Sequence, residues 1–211
     1  IINQNGILFG AGSQINVHSL TASALNIKFD KDISQYTSLA DYDKKFVELD
    51  SFYDGGSESY QLDNRLSYTA NAAVTNQGDI TGGNLGSVAL IGPKVTNQGT
   101  IAVESGDVAL LAGDTISLAQ DEFGYFQYSV ANNALSGTAT NAAGGKIITN
   151  TGNANMYGTV VNQDGLIRAT TALEKNGRIT LVGTQKVKTG AKSITETPIT
   201  SSRTRKIVDE S

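Results

Sequence analysis

The chain of 211 residues contains no cysteine, only two prolines and a single histidine. Without cysteine there are no disulfide staples and no thiolate metal sites, and such a composition fits a bacterial exported protein that needs no oxidative folding. Basic charge is also short, since 16 Lys and Arg against 20 Asp and Glu leave a formal charge of −4. That balance gives no electrostatic footprint for nucleic acid. No apolar run approaches the ~18 residues that a membrane-spanning helix needs. The sequence opens with neither Met nor a signal peptide, as expected of a mature or internal fragment. What the chain has instead is glycine, 23 residues of it, among many Asn, Thr and Ser. Those residues serve tight turns between many short strands, and the length suffices for one domain with a substantial core.

The opening stretch NQNGILFGAGSQINV, Asn3 to Val17, shows the pattern in miniature. Asn5-Gly6 is a turn signal because both residues tolerate positive φ, and Ile7, Phe9, Ile15 and Val17 follow at period-two spacing. The same grammar then repeats. VTNQGDIT from Val74 returns as VTNQGTIA from Val95, a shift of 95 − 74 = 21, and GSVALIG from Gly86 returns as GDVALLAG from Gly106, a shift of 20. VVNQDGLIRA around Asn162 and GRITLVG from Gly177 carry the same half-motifs. Near-identical motifs at that interval predict a parallel β-helix, in which equivalent residues stack on the next coil. One coil is read as three strands, on Ile101/Val103, Val108/Leu110/Ala112 and Ile116/Leu118, Ile116 also being where the period lands after Val95. Coils ~4.8 Å apart, roughly eight of them, would make a rod about 40 Å long. The repeated Asn76, Asn97 and Asn162 are read as structural, bonding local backbone or the same position in neighbouring coils.

Two segments interrupt the repeat. Eight of the 14 aromatic residues lie between Phe29 and Tyr68, with nine acidic residues, and four more lie in FGYFQY from Phe123 to Tyr128. In SLADYDKKFVELDSF the residues Leu39, Tyr42, Phe46 and Leu49 have helical spacing. The bland reading is an excursion that lays its aromatics on the flank of the helix; the sharper one is an adhesive surface. Asp41-x-Asp43 begins like a calcium loop, but Lys44, Lys45 and Phe46 follow where oxygen ligands and glycine are needed, so no metal or cofactor is expected.

With the repeat established, NQNGILFGAGSQINVHSLTASALNI and GSVALIGPKVTNQGTIAVESGDVALLAGDTISL resemble the haemagglutination-activity, or two-partner secretion, domain of filamentous haemagglutinin-like exoproteins. Together these motifs span Ile2 to about Leu118 in the family's order. Where the family has Asn-Pro-Asn-Gly this chain has Asn3-Gln4-Asn5-Gly6, without the φ-fixing proline, and the family's earlier Asn-Pro-Asn-Leu turn is absent. The resemblance implies a right-handed parallel β-helix and a passive role. Such a domain is recognised in the periplasm by the POTRA domains of a dedicated outer-membrane transporter, and the rest of a surface adhesin follows it out. Asn3, Gln4, Asn5, Gly6 and Ile7 are the residues expected to serve transporter recognition or folding nucleation. Host-cell glycans or surface proteins are the expected targets of the whole exoprotein, and its location is the cell surface or the medium.

The expected organisation is a C-terminal part of the secretion domain over residues 1–121, with an insertion at about 29–68, further coils over 122–185, and a polar tail or linker over 186–211. The rival class is a β-helical protein that binds or degrades polysaccharide. That chemistry needs carboxylates clustered on one face, or Arg and Lys with calcium, whereas Asp79, Glu104, Asp107, Asp114 and Asp164 occur singly at turns. His18 has no evident partner, GGSES from Gly55 ends in Ser59 where a nucleophile elbow needs glycine, and no P-loop is present. The sequence is therefore read as non-catalytic.

Overall fold

The computed structural model describes residues 1–28, 47–50, 72–113, 115–120, 126–130, 137–171 and 176–199. Every regular element among them is a strand. The chain winds through three faces. The first face holds β1 (Ile7–Phe9), β6 (Ala73–Asn76), β9 (Lys94–Asn97), β14 (Thr138–Asn141) and the second half of β16 (Asn153–Gln163). The second holds β2 (Gln14–Val17), β7 (Asp79–Gly82), β10 (Thr100–Val103), β15 (Lys146–Thr149), β17 (Leu166–Ala169) and β19 (Ile194–Glu196), paired in that order. The third holds β3 (Leu20–Ser23), β8 (Ser87–Gly92), β11 (Asp107–Ala112), the first half of β16 and the first half of β18 (Arg178–Thr189), whose second half returns to the first face. All of these pairings are parallel. The fold is a parallel β-helix.

Alternation explains both the strands and the stacking. In each strand every second side chain points inward, and the in-register pairs bring like residues together. Val74, Val95, Ala139 and Val161 form one inner column, and Ile80, Ile101, Ile147 and Ile167 another, all at most 1% exposed. Each such Val or Ile removed from water is worth about 1.5–3 kcal/mol, so repetition itself builds the core. At the corners, Gly99 and Gly165 approach the carbonyls of Gly78 and Gly145 so closely that no Cβ fits.

The register corrects the expected coil. The successors of Ile7 on the first face are Val74, Val95, Ala139, Val161 and Val187. The steps are 67, 21, 44, 22 and 26 residues, so the described residues form six coils rather than eight; two steps exceed one period, by 67 − 21 = 46 and 44 − 21 = 23 residues, and each holds an excursion from the helix. Ile116 belongs to the second of them. It lies in β12 (Thr115–Gln120), which pairs antiparallel with β13 (Phe126–Val130) and β5 (Val47–Asp50), and β5 pairs antiparallel with β4 (Asn26–Lys28). The true third strand of that coil is β14, displaced to residue 138. Leu49 likewise sits in a strand rather than on a helix face, because Val47–Asp50 alternates and finds hydrogen-bonding strands on both sides; Leu39, Tyr42 and Phe46 lie outside the described residues. So do Asp41 and Asp43. The polar segment from residue 186 also carries strands, since Lys186–Thr189 pairs with Val160–Gln163 and β19 with β17. In these strands Lys186, Lys188 and Glu196 fall on outward positions, which a strand tolerates.

Candidate functional site: the opening turn and a buried amide ladder

Asn3 closes the first turn twice. Its carbonyl accepts the Gly6 N–H at 2.9 Å, and its side-chain Oδ1 accepts the Asn5 N–H at 3.1 Å. Gly6 has φ +104°, a conformation open to glycine, and a Cβ there would stand 2.9 Å from the Ala73 carbonyl of the next coil. The Asn3 N–H donates to the Ser23 carbonyl at 2.9 Å, tying the turn to the third face. Hydrogen bonds therefore do the closing that a proline at position 4 would assist. Asn3 and Asn5 are exposed, Gln4, Gly6 and Ile7 partly so, and Ile7 starts β1 opposite Val74. The five residues stand together on the first coil.

The repeated asparagines lie inside. Asn76 Nδ2 donates to Asn97 Oδ1 at 2.9 Å, Asn97 Nδ2 to Asn141 Oδ1 at 2.8 Å, and Asn141 Nδ2 to Gln163 Oε1 at 2.8 Å. Gln163 Nε2 continues to the Ile194 carbonyl at 3.1 Å and Thr195 Oγ1 at 3.3 Å. All four amides are fully buried. Each also donates to a backbone carbonyl of the following coil, Thr100, Lys146, Leu166 and Ile194 in turn. The ladder begins at Asn76 Oδ1, which accepts the Gly78 N–H at 3.1 Å. Every amide thus turns a donor toward the C-terminal coil, the orientation that the network itself dictates, while Asn76 Nδ2 and Gln163 Nε2 also donate to the Gly78 and Gly165 carbonyls of their own corners at 3.1 and 3.0 Å.

Asn162 is outside this ladder. It precedes the true rung by one residue, so it faces the other way and donates to Thr140 Oγ1 at 3.4 Å. Asn141 and Gln163 are the rungs that the repeated motif does not mark. A signal existed: Val161 and Gly165 keep the four-residue spacing of Val74 and Gly78, which aligns Gln163 with Asn76. Matching the Asn-Gln pair instead shifts the register by one.

Among the described residues the candidate catalytic groups stay apart; Asp114 and the stretch Gly55 to Ser59 lie outside them. His18 is exposed, and its carbonyl accepts the Gly83 N–H at 3.0 Å. Asp107 Oδ1 accepts both the N–H and the Nδ2 of Asn153 at 2.9 Å, a bond between coils. Among the described residues no three His, Cys, Asp or Glu side chains converge as metal ligands, and no helix is long and apolar enough to cross a membrane.

The model of the TPS secretion domain family matches residues 1–195. The chain belongs to that family. Among solved structures, the HMW1 secretion domain from Haemophilus influenzae is similar, with a TM-score of 0.61 and 28% identity over 85% of this chain. The chain spans 41% of the length of that solved chain. A search of curated proteins finds no significant match. TPS secretion domains belong to proteins exported through the periplasm to the cell surface or beyond, and the family is one of targeting domains that work with an outer-membrane transporter. The TPS fold expected from the motifs is the one observed, a parallel β-helix with excursions.

Proposed function

We propose that this chain is the part of a larger adhesin-like exoprotein that a cognate outer-membrane transporter recognises through its POTRA domains, and that its coils nucleate β-helix folding outside the cell. The observation that carries this reading is the opening turn, whose two exposed asparagines stand at one end of the stack and lead straight into β1. A strand not yet stacked on its neighbour presents free backbone donors and acceptors, the chemistry on which β-augmentation by a periplasmic receptor draws. Once outside, the same backbone groups pair with the next coil and are no longer available. Recognition and folding then compete for one set of hydrogen bonds, which gives transport its direction. Residues up to about 121 are assigned to recognition and nucleation, the later coils to propagation, and the receptor of the exoprotein to host glycans or surface proteins.

Export tests the proposal. The chain behind a signal peptide is expressed with and without a cognate transporter, alone and as Asn3→Ala/Asn5→Ala. Protein reaching the medium only with the transporter, and loss of export in the double variant, is the expected outcome. Losing the Asn3 side-chain bond costs about 1 kcal/mol, so circular dichroism of the purified variant distinguishes lost recognition from lost folding. Export without the transporter overturns the assignment.

A further inference from the structure

The outward side chains of β8 and β11 are as buried as the inward ones. Val88, Leu90, Val108 and Leu110 face the core of the coils, yet Ala89, Ile91, Ala109 and Leu111 on the opposite side are also fully buried. Their cover is Leu25, which follows β3 of the first coil, and Ile116, which follows β11 of the third, both fully buried in the same cluster. Between these two anchors runs a strap of antiparallel strands. Leu49 of β5 pairs with Ile27 of β4 on one side and with Ile116 of β12 on the other. Ser23 Oγ fixes the departure of the first excursion by accepting the Leu25 N–H and donating to the Leu25 carbonyl, both at 2.9 Å.

We infer that the strap makes the first three coils and the strands β4, β5, β12 and β13 a single cooperative folding unit, closed only when Ile116 arrives, and that the later coils add to it one at a time. Coil stacking alone joins Val74 to Val95 across 21 residues, whereas the strap joins Leu49 to Ile116 across 116 − 49 = 67. Until β12 is present, β5 lacks one of its two partners and the face bearing Ala89, Ile91, Ala109 and Leu111 stays wet. A chain that folds from its N-terminus therefore builds coils one and two as an incomplete structure with an apolar flank exposed. Past the third coil the cover thins, Tyr157 of the fourth packing against the edge of the same cluster. Tyr157, in register with Leu111, is half-buried, and Val182, in register with Tyr157, is 37% exposed. The boundary of the unit is thus visible as a fading of outer burial along one row. The consequence for export rests on the secretion reading: about 120 residues must emerge before folding outside becomes irreversible.

Native-state hydrogen exchange on the whole chain tests this. The amides of β5, β8, β11 and β12 are expected to share one opening free energy and one denaturant dependence, distinct from those of β15 and β17. Ile116→Ala should speed exchange in all four strands by the same factor, about thirtyfold or more, although β8 lies in a different coil. In pulse-labelled refolding, β8 should gain protection in the phase in which β12 does. Overturning results are a strap that opens on its own, with Ile116→Ala accelerating β5 and β12 alone, or protection of β8 in an earlier phase than β12. The wild-type exchange profile decides the matter even if Ile116→Ala does not fold. No transporter takes part, so failure here leaves the secretion reading standing, while transporter-independent export removes only the consequence for export.

Discussion

Asn97 shows what a single rung does. It accepts from Asn76 and donates to Asn141 and to the Lys146 carbonyl, all in a site with no water-exposed surface. Asn97→Ala removes both side-chain links and leaves a cavity, at an expected cost of about 2–4 kcal/mol in urea denaturation. Asn97→Asp is more informative. An ionised carboxylate sets an acceptor and a charge against Asn141 Oδ1, whereas a protonated one can donate to it. Burial raises the folded-state pKa of such a carboxyl above its unfolded value, so its penalty relative to wild type should grow as pH rises from 4 to 7. Asn162→Ala, by contrast, should change stability by less than about 0.5 kcal/mol, because that side chain lies on the outer face. The two halves of this comparison separate a ladder read by register from one read by motif. Asn76 and Asn97 were legible because their whole pentapeptide recurs. Asn141 was not, since NAAGG replaces NQG after it, and Gln163 keeps the chemistry of the amide while losing the letter.

Strands and corners follow the same division. Inward columns of Val and Ile are written in the sequence because period two is all that a half-buried strand requires. The excursions are not, since β12 alternates as any coil strand does and only its antiparallel partners reveal where it belongs. A 21-residue period after Val95 therefore lands on Ile116, a strand that pairs outside the coils. Glycine at the corners gives a prediction at this scale. Gly99→Ala drives a Cβ into the Gly78 carbonyl, and that backbone is held by the coil beneath, so the thermal midpoint should fall by several degrees or the chain should fail to fold. Gly10→Ala meets nothing within 4 Å and should leave the midpoint unchanged or raise it slightly. Equal effects at the two positions would contradict the close stacking of corners.

Across the whole molecule, burial is greatest in the middle coils and falls away toward the last ones. Ile179 and Leu181 are only partly buried, and Val187, in register with the fully buried Val161, is 45% exposed. The Arg168–Glu196 pair, 2.6 Å apart, bridges the last two coils on the outside, where exposure of both partners limits it to at most ~1 kcal/mol. Glu196→Ala should accordingly shift the global midpoint little while raising exchange at β19 selectively, a separation that hydrogen exchange resolves strand by strand. The family was legible from motifs spread over the first 118 residues, because a stacked fold repeats its own instructions. How the excursions join the first and third coils was not, since that contact is made once and has no repeat to announce it.

The spacing of the coils has a mechanical side. One step of 21 residues, Val74 to Val95, spans ~70 Å when extended, yet advances the rod by only ~4.8 Å. Winding a coil reels in about fifteen times the length it adds. A thread fed through a narrow opening and wound on the far side is drawn by each turn and cannot slip back without a full turn being undone. The β-helix is, in this sense, a winch whose drum is made of its own rope.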